Sequence, residues 1–462
     1  MIFEKRPRVP PPLDANFRPA VLANRAYLAE VEASGKPVPL TIGIEQADGT
    51  RSLFHTQVLP AEHPKAEANL AYAERLVKFL LWQRGGHKVY VGGPASIGEY
   101  LTQAYTRTGL RAFDTDLWET VFEKPFEVVV TTAEKVPPAK EASIALGRHL
   151  EGYRIGFDLG ASDRKVSAVV EGEPIFSEEV QWDPRNQSDP AYHYHEVMCS
   201  LHRAAARMPR VDAIGGSSAG AIINNRVRIA SLFRGVPKEK FDEGIGGLFP
   251  RIAKAWGVPF EVINDGEVTA LAGSMSLGVN AILGIALGSS EAGGYVNRDG
   301  NVTKWLDELA FAPIDYAEGA TADEWSGDIG CGANYLSQQA VFRLAPAAGI
   351  AVDEKLSLAD RLAFVQEQVA KGHARAGLIF ETIGVYLGYA VAHYADFYDL
   401  SHVLILGRVT SGACGDLVMG RCREVLTTEF PELAKRVSVN LPDEKARRVG
   451  QSVAAASLPA IK

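Results

Sequence analysis

The chain has 462 residues, 47% of them hydrophobic and 23% charged, which is the composition of a globular protein with several domains. Its formal net charge of −8 argues against nucleic acid as the main partner, because phosphate backbones require a basic surface. The four cysteines form no CxxC pair and predict reduced thiols rather than a disulfide framework. The N-terminal stretch is charged and rich in proline, unlike a signal peptide, and no apolar run approaches the roughly 20 residues of a membrane helix. We therefore expect a cytoplasmic protein that binds no membrane.

The first third of the chain has the pattern of a small α/β segment. Residues 1–20 predict an arm, and residues 134–150 predict a linker that runs into a short helix. Between them, apolar spacing predicts two strands, a helix and a third strand that ends at Gly92-Gly93; these elements are residues 40–45, 52–59, 66–83 and 88–91.

A similar pattern begins at residue 153. Three strands, a helix and a strand ending at Gly215-Gly216 are predicted at residues 153–159, 165–171, 175–181, 194–207 and 211–214. The likeness between the two stretches has two explanations: duplication of one unit, or chance similarity of unrelated α/β segments. In a duplication, the first copy is degenerate, because Glu45-Gln46-Ala47-Asp48 replaces Asp158-Leu159-Gly160-Ala161 and removes the aspartate and glycine of a phosphate-binding turn.

Helices and strands continue to alternate after residue 245, which favours an α/β architecture. Helices are predicted at residues 245–256, 266–277, 415–426 and over most of 354–398, and strands at 260–263, 280–286, 295–296 and 402–406.

Four loops follow apolar strands and carry the candidate chemistry. Asp158 with the small residues after it could hold Mg²⁺ through water and phosphate through backbone N–H groups, although a plain hairpin turn has the same pattern. Asn264-Asp265 precedes a helix; Asp265 is a candidate general base or a helix N-cap, and the two roles are compatible. The Gly/Ser loop from residue 288 could bind nucleotide phosphates, and the strand end at Gly407 could pack against a nucleoside.

The order of these loops resembles the ROK family of sugar kinases, within the actin-like superfamily, over about residues 153–430. GFDLGAS resembles that family's first phosphate loop, DxGGT, and GGSSAGAI resembles its sugar-side GxPG loop. VINDGEVTALAGS is similar to its catalytic NDANAAAL segment, and ALGSSEAGG stands where the family has GTGxGG. The stretch at 381–409 is similar to its C-terminal helix and adenosine-side strand.

The resemblance implies a fold of two actin-like (ribonuclease H-like) α/β lobes around a cleft, preceded by an extra N-terminal α/β segment. The predicted domains are residues 1–150, the extension and possible degenerate duplicate; 151–270, the first lobe with sugar-side loops; and 271–462, the second lobe with nucleotide-side loops. The implied activity is phosphorylation of a sugar hydroxyl by ATP and Mg²⁺, with Asp265 as the catalytic base. The remaining site residues are Asn264, Glu308, Ser218 and Gly220 for the sugar, and Asp158, Gly160, Ser162, Lys165, Gly288, Ser289, Ser290 and Gly407 for ATP and Mg²⁺.

Several residues depart from the family pattern. Phe311 and Ala333 stand where a histidine and a glutamate bind the sugar, which predicts poor use of glucose and preference for a less hydroxylated or substituted sugar. Of the zinc-binding cysteine segment only Cys331 remains, so no structural zinc is expected. Glu291 places a carboxylate in the second phosphate loop, where it would repel triphosphate unless it faced Mg²⁺ or the substrate, and Arg408 replaces a glycine beside the adenosine.

These departures keep a second hypothesis open: an inactive sugar- or nucleotide-binding sensor of the same fold. Phosphotransfer to an acidic or amino sugar is a third. DNA binding, as in ROK repressors, would need a basic helix-turn-helix, which the nearly neutral first 150 residues do not resemble. A monomer and a homo-oligomer are both compatible with the sequence.

Overall fold

The computed structural model describes residues 5–141, 143–160, 163–441 and 444–461, without the side chains of Ile144 and residues 444–449. Two compact units form. Unit 1 comprises Met1–Ala142, Ala286–Ala292 and Trp305–Asn440, and unit 2 comprises Ser143–Ile285, Gly293–Lys304 and Leu441–Lys462. This division differs from the predicted boundaries at 150 and 270, because the N-terminal segment groups with the nucleotide-side residues and the C-terminal stretch groups with unit 2.

The N-terminal part of unit 1 is an α/β segment, as predicted. Its elements are α1 (Ala20–Ala33), β1 (Val38–Glu45), β2 (Arg51–Val58), α2 (Ala68–Arg84), β3 (Lys88–Gly92), α3 (Ala95–Ala104), α4 (Ala112–Phe122) and β4 (Glu127–Thr131). The sheet order is β2-β1-β3-β4, with β1 antiparallel to both neighbours and β3 parallel to β4. The sequence analysis missed α1, α3, α4 and β4.

Unit 2 contains the repeated strand pattern that the sequence predicted. Its elements up to residue 281 are β5 (Ser143–Ile144), β6 (Tyr153–Leu159), β7 (Asp163–Val170), β8 (Glu173–Gln181), α5 (Pro190–Ala205), β9 (Ala213–Ser218), β10 (Ala221–Ile223), β11 (Arg226–Ile229), α6 (Lys238–Phe241), α7 (Leu248–Trp256), β12 (Phe260–Asn264) and α8 (Asp265–Leu277). The described residues of the predicted linker helix at 134–150 hold no α-helix, so that prediction is wrong.

The central sheet of unit 2 has the order β12-β9-β6-β7-β8. Strands β6, β9 and β12 are parallel, and the hairpin strands β7 and β8 are antiparallel neighbours. Apolar residues of β6, α5 and α7, among them Phe157, Leu201 and Phe249, form one buried core with this sheet.

The rest of the chain alternates between the units. Its elements are β13 (Ile282–Leu287), β14 (Glu291–Val296), β15 (Val302–Thr303), α9 (Gln338–Leu344), α10 (Leu358–Ala370), α11 (Ala374–Tyr394), β16 (His402–Leu406), α12 (Ala413–Glu429), α13 (Pro431–Arg436), β17 (Ser438–Asn440) and α14 (Glu444–Ala456). A six-stranded sheet follows the order β17-β16-β13-β14-β15-β5. Helix α11 is long and apolar enough to span a membrane, but 83% of its most apolar window is buried in the protein, as in a core helix.

The N-terminal sheet differs in topology from the unit 2 sheet. In unit 2, three antiparallel strands precede α5, and the strand after it, β9, is parallel to β6. In the N-terminal segment, two strands precede α2, and β3 is antiparallel to β1. A crossover helix returns the chain in the direction of the strand it leaves, so one strand fewer reverses the next pairing. The two stretches therefore differ in topology and share an α/β character, and the duplication stays a prediction.

Candidate active site and phosphate loops

Three neighbouring parallel strands of unit 2 end at one edge of the sheet. Asp158 at the end of β6 lies opposite Ser217 of β9, and Ser218 lies opposite Asn264 at the end of β12. Ligands of open α/β sheets bind at the carboxyl ends of such strands. The structure therefore brings the predicted Asp158, Ser218 and Asn264 together with Asp265, the residue that follows β12.

Asp158 is buried at this edge, with 8% of its surface exposed. Ser217 donates its hydroxyl hydrogen to Oδ1, and the Lys165 ammonium on the facing strand β7 lies 4.0 Å from Oδ2. Burial raises the pKa of Asp158 above its ordinary value, while Lys165 and the Ser217 hydroxyl oppose that rise. Ser217 is a contact that the sequence analysis missed, although it directly precedes the predicted Ser218.

Asn264, not Asp265, is the N-cap of α8. Its Oδ1 accepts the Gly266 N–H at 2.7 Å, and its own N–H donates to Glu267 Oε2 at 3.2 Å, which completes a capping box. Its Nδ2 donates to the Gly220 carbonyl at 2.9 Å. The amide thus fixes the helix start and the loop after β9 to each other, and the predicted alternative of Asp265 as the cap is wrong.

Asp265 is the first residue of α8 and is half-buried. Burial raises its pKa to about 6, and the negative charge of Asp158 adds to that rise. Its Oδ1 accepts the Gly266 N–H at 3.1 Å, the longer of the two bonds that this donor makes. The hydrogen bonds to this carboxyl group come from backbone N–H groups, those of Gly266 and of Asp265 itself. A carboxylate held by backbone N–H groups, with a pKa near neutrality, has the properties of a general base.

Glycines allow the start of α8 to approach β14 closely, within unit 2. A Cβ atom on Gly266 would lie 1.8 Å from the Gly293 carbonyl oxygen, and one on Gly294 would lie 2.0 Å from that of Gly266. Backbone contact thus explains the glycine after Asp265 and Gly294 of β14.

A backbone N–H group of the predicted first phosphate loop is hydrogen-bonded within the β6–β7 hairpin. Gly160 donates its N–H to the Asp163 carbonyl at 2.9 Å and accepts from Trp182 Nε1 at 2.8 Å. Its N–H is not open to a phosphate oxygen, which corrects the role predicted for it. Ala161 and the predicted Ser162 lie outside the described residues.

The predicted sugar-side residues of unit 2 differ in exposure. Ser218 is fully buried, with 0% of its surface exposed, so its hydroxyl is not presented to a substrate. Gly220 has a φ of 109°, a conformation that favours glycine, and its carbonyl accepts from Asn264. We conclude that both residues shape the loop after β9.

In unit 1, the two predicted nucleotide loops lie together. Gly288, Ser289 and Ser290 form a short turn after β13, closed by the Gly288 N–H donating to the Ser290 carbonyl at 3.0 Å. The Gly407 backbone, at the end of β16, packs so closely that a Cβ atom there would lie 2.2 Å from the Leu287 carbonyl oxygen. The side chains of the turn are partly exposed.

The geometry can be compared with known proteins. No family model matches the chain, and no curated protein matches its sequence. Solved structures do match. A ROK family glucokinase from Streptomyces griseus, in complex with glucose and AMPPNP, superposes with a TM-score of 0.52 at 19% identity, over 65% of this chain and 98% of that one. A ROK hexokinase from Thermus thermophilus has a TM-score of 0.50 at 18% identity, over 66% and 97%.

A ROK family transcriptional regulator, a homologue of the E. coli MLC protein, has a TM-score of 0.51 at 19% identity, over 66% of this chain and 78% of that one. This chain has the ROK fold. The predicted actin-like α/β architecture is thereby confirmed. Kinases and a regulator share the ROK fold at similar scores, so the fold alone does not determine the activity, which depends on the residues of the site.

Glu291 does not bring a charge to the predicted second phosphate loop. Its side chain is buried, with 3% of its surface exposed, and its Oε1 accepts the Tyr394 hydroxyl hydrogen at 2.9 Å. Burial raises the pKa of Glu291 to about 8, so the group is neutral at pH 7. The predicted repulsion of triphosphate by Glu291 is therefore wrong.

Phe311 also lies in the interior. Its ring stacks on Trp82 with centroids 4.4 Å apart and lies 5.6 Å from the Trp325 ring. Only 9% of Phe311 and 2% of Ala333 is exposed. The predicted preference for a less hydroxylated or substituted sugar supposes that Phe311 faces the sugar, and the structure instead packs the ring against Trp82 of the N-terminal segment. Glu308, in contrast, is half-buried.

The segment around Cys331 has no metal-binding geometry in the part of the chain that the structure describes. No group of three or more His, Cys, Asp or Glu side chains there could hold a metal ion. Burial raises the pKa of the Cys331 thiol to about 12, which disfavours the thiolate that zinc requires. The absence of structural zinc remains a prediction.

Proposed function

We propose that the protein phosphorylates a hydroxyl group of a sugar or sugar derivative, with ATP as the phosphoryl donor. The observation that carries this proposal is the environment of Asp265. Asn264 caps α8, so the Asp265 carboxyl group, which follows the end of β12 beside two further parallel strands, is not needed as the cap and accepts hydrogen bonds from backbone N–H groups. A raised pKa of about 6 suits a base that works near neutral pH.

In this mechanism, the oxygen of the sugar hydroxyl attacks the γ-phosphorus of ATP and ADP leaves. Asp265 accepts the proton of that hydroxyl during the attack. Phosphoryl transfer depends mainly on positioning and on neutralisation of charge, so one base and phosphate-binding loops suffice. Glu308 is proposed to bind sugar hydroxyls. Gly288, Ser289, Ser290 and Gly407 are proposed to bind the nucleotide.

The residues of unit 2 fit a magnesium ion. Asp158 and Asp265 are two carboxylates whose charges disfavour each other, and the Lys165 ammonium lies 4.0 Å from Asp158. Asp158 would hold Mg²⁺ through water. When bound, Mg²⁺ supplies neutralisation of the phosphate charge.

A regulator of the same fold is the second candidate, since a ROK regulator matches the chain as well as the kinases do. The structure removes one argument for it, because the Glu291 carboxyl group is neutral and buried. The N-terminal β2-β1-β3-β4 sheet with its helices is also unlike a basic helix-turn-helix. We also propose that the protein is cytoplasmic. A monomer and a homo-oligomer are both compatible with the proposed reaction.

The deciding experiment is a coupled assay of ADP release over a panel of sugars with Mg²⁺ and ATP. The panel includes glucose, deoxy sugars, N-acetylated sugars and amino sugars, each with a no-sugar control for simple ATP hydrolysis. Sugar-dependent ADP release with a phosphorylated product supports the kinase. Binding of a sugar without turnover, measured by calorimetry, would instead support the sensor.

A further inference from the structure

Unit 1 contains a buried network of six charged side chains that the proposed reaction does not use. Its members are at most 12% exposed and balance in charge, with three cations and three carboxylates: Arg75, Lys78, Arg111, Glu74, Asp114 and Asp328. Five of the six belong to α2, α4 and the residue before α4. Asp328 alone comes from a distant part of the sequence.

Asp328 is held by all three cations of the network. Its carboxylate oxygens lie 3.1 Å from Arg75 Nη2, 3.3 Å from Lys78 Nζ and 2.7 Å from Arg111 Nη1. Burial alone would lower the pKa of Lys78, but Asp114 and Asp328 outweigh it and raise the pKa, so the ammonium stays charged. Buried charges persist only when they are paired this fully, and loss of one partner leaves another uncompensated.

The C-terminal end of α2 makes a second connection to the same part of the chain. The N–H groups of Asp307 and Glu308 donate to the carbonyls of Gln83 and Trp82, at 2.8 and 2.9 Å. These are carbonyls of the last turn of α2, which have no partner within the helix. The Glu308 backbone is therefore bound directly to α2, and the Trp82 ring packs on Phe311, three residues further along.

The two segments that α2 contacts, one containing Glu308 and the other Asp328, are connected to each other. The Gly332 N–H donates to Ala312 at 3.0 Å, and the Ile314 N–H donates to Gly330 at 2.9 Å. Residues 307–315 and 328–332 are thus joined by backbone hydrogen bonds. Helix α2 contacts both segments: Arg75 and Lys78 pair with Asp328, and the Trp82 carbonyl of α2 accepts the Glu308 N–H.

We propose that α2 positions Glu308 for sugar binding and that Asp328 is the positioning residue through which α2 fixes this segment. The inference gives the N-terminal segment a function within the sugar site, and it rests on the role proposed above for Glu308. Packing of the N-terminal segment alone would require neither three cations around the Asp328 carboxylate nor a backbone hydrogen bond from Glu308 to α2.

The test compares Asp328→Asn with Asp396→Asn in the full chain. Asp396 makes the matched control, because it also belongs to unit 1 and pairs with an arginine, Arg25, at 2.7 Å, but is about one-third exposed. Backbone hydrogen exchange of peptides covering residues 305–316 is measured without substrate. The KM values for the best sugar of the panel and for ATP are measured well below the melting temperature.

We expect Asp328→Asn to speed exchange at residues 305–316 by about tenfold and to lower the melting temperature by about 5–10 °C. The sugar KM should rise about 3- to 10-fold, as for one weakened hydrogen bond, while the KM for ATP stays unchanged. Asp396→Asn should change none of these values. If Asp328→Asn does not fold, the charge-balanced double variant Lys78→Met/Asp328→Asn replaces it and should show the same changes.

Unchanged exchange at residues 305–316, or an equal rise of both KM values, would overturn the inference. If the wild-type protein phosphorylates no sugar, the proposed function fails. The positioning of Glu308 is then judged by the exchange measurement alone, which needs no substrate.

Discussion

Tyr394 of α11 donates its hydroxyl hydrogen to Glu291, the first residue of β14, at 2.9 Å. The second carboxyl oxygen, Oε2, has no partner among the residues that the structure describes. Glu291, which the sequence placed in a predicted phosphate loop, is therefore a buried residue of unit 1. It also makes the stability of the protein depend on pH.

The first prediction concerns Glu291→Gln. Burial raises the pKa of Glu291 from 4.5 to about 8 in the folded state. Between these values the unfolded chain releases the proton and the folded protein keeps it, so wild-type stability falls as pH rises from about 4.5 to 8. The glutamine variant lacks this loss. Its free energy of unfolding relative to wild type should therefore increase by a few kcal/mol between pH 5 and pH 8.

Urea unfolding at the two pH values measures this difference. The control is Glu432→Gln, since Glu432 is 83% exposed and its variant should follow the wild type at both pH values. An equal offset between Glu291→Gln and wild type at pH 5 and pH 8 would show that Glu291 is ionised in the folded protein.

The second prediction is that Asp265→Asn loses activity but not its fold. Asn264 keeps the helix cap, and the new amide has the shape of the carboxyl group but cannot accept the proton. The turnover number should fall by about 10²–10⁴. Asp189→Asn is the matched control, because Asp189 caps α5 in the same unit and asparagine caps a helix equally well. Steady-state kinetics on the identified sugar, with melting temperatures, decide the matter; near-wild-type turnover of Asp265→Asn would remove it as the base.

The third prediction is a pH profile. With a pKa of about 6, Asp265 is the active base above that pH, so kcat/KM should fall about tenfold per pH unit below it. The charge of Asp158 contributes to this value, so the residual activity of Asp158→Asn should show a lower midpoint. Profiles from pH 4.5 to 8 for both proteins test this. A midpoint that stays the same in Asp158→Asn would mean that the two carboxylates do not interact.

The fourth prediction separates the two roles of the Asn264 side chain. Asn264→Ala removes the cap and should cost about 1–2 kcal/mol of stability. Asn264→Ser keeps an oxygen acceptor for the Gly266 N–H but loses the donor to Gly220, so it should retain most of the stability. Thermal unfolding compares the three proteins, and equal losses in both variants would contradict the capping role.

The fifth prediction tests the close approach at Gly266. A Cβ atom there would lie 1.8 Å from the Gly293 carbonyl oxygen, so Gly266→Ala should destabilise the protein by about 3 kcal/mol. Gly420, within α12, has open space where a Cβ would be, so Gly420→Ala should instead stabilise by up to about 1 kcal/mol. Denaturant midpoints distinguish the two, and a neutral Gly266→Ala would show that α8 and β14 can separate at no cost.

Much of the candidate site could be predicted because its parts are local in sequence. An apolar run that stops at Asn264-Asp265 before a helix signals a strand end, and the structure has β12 and α8 there. The choice of cap could not be predicted, because asparagine and aspartate are both good capping residues and they are adjacent. The use of the Gly160 N–H also could not be predicted, since it depends on the hairpin that brings Asp163 back to it.

The sequence by itself determined the α/β class, the position of β6 and the placement of Asp158, Asn264 and Asp265 at strand ends, because apolar periodicity and turn residues act over a few neighbouring positions. Only the tertiary structure decided that Glu291 and Phe311 face the interior and that the N-terminal sheet pairs β3 antiparallel to β1. It also decided that Lys78 and Trp82 of α2 hold the Glu308 segment. These contacts join residues that are far apart in the sequence. Burial and charge pairing bring them together only in the folded chain, so local sequence patterns do not predict them.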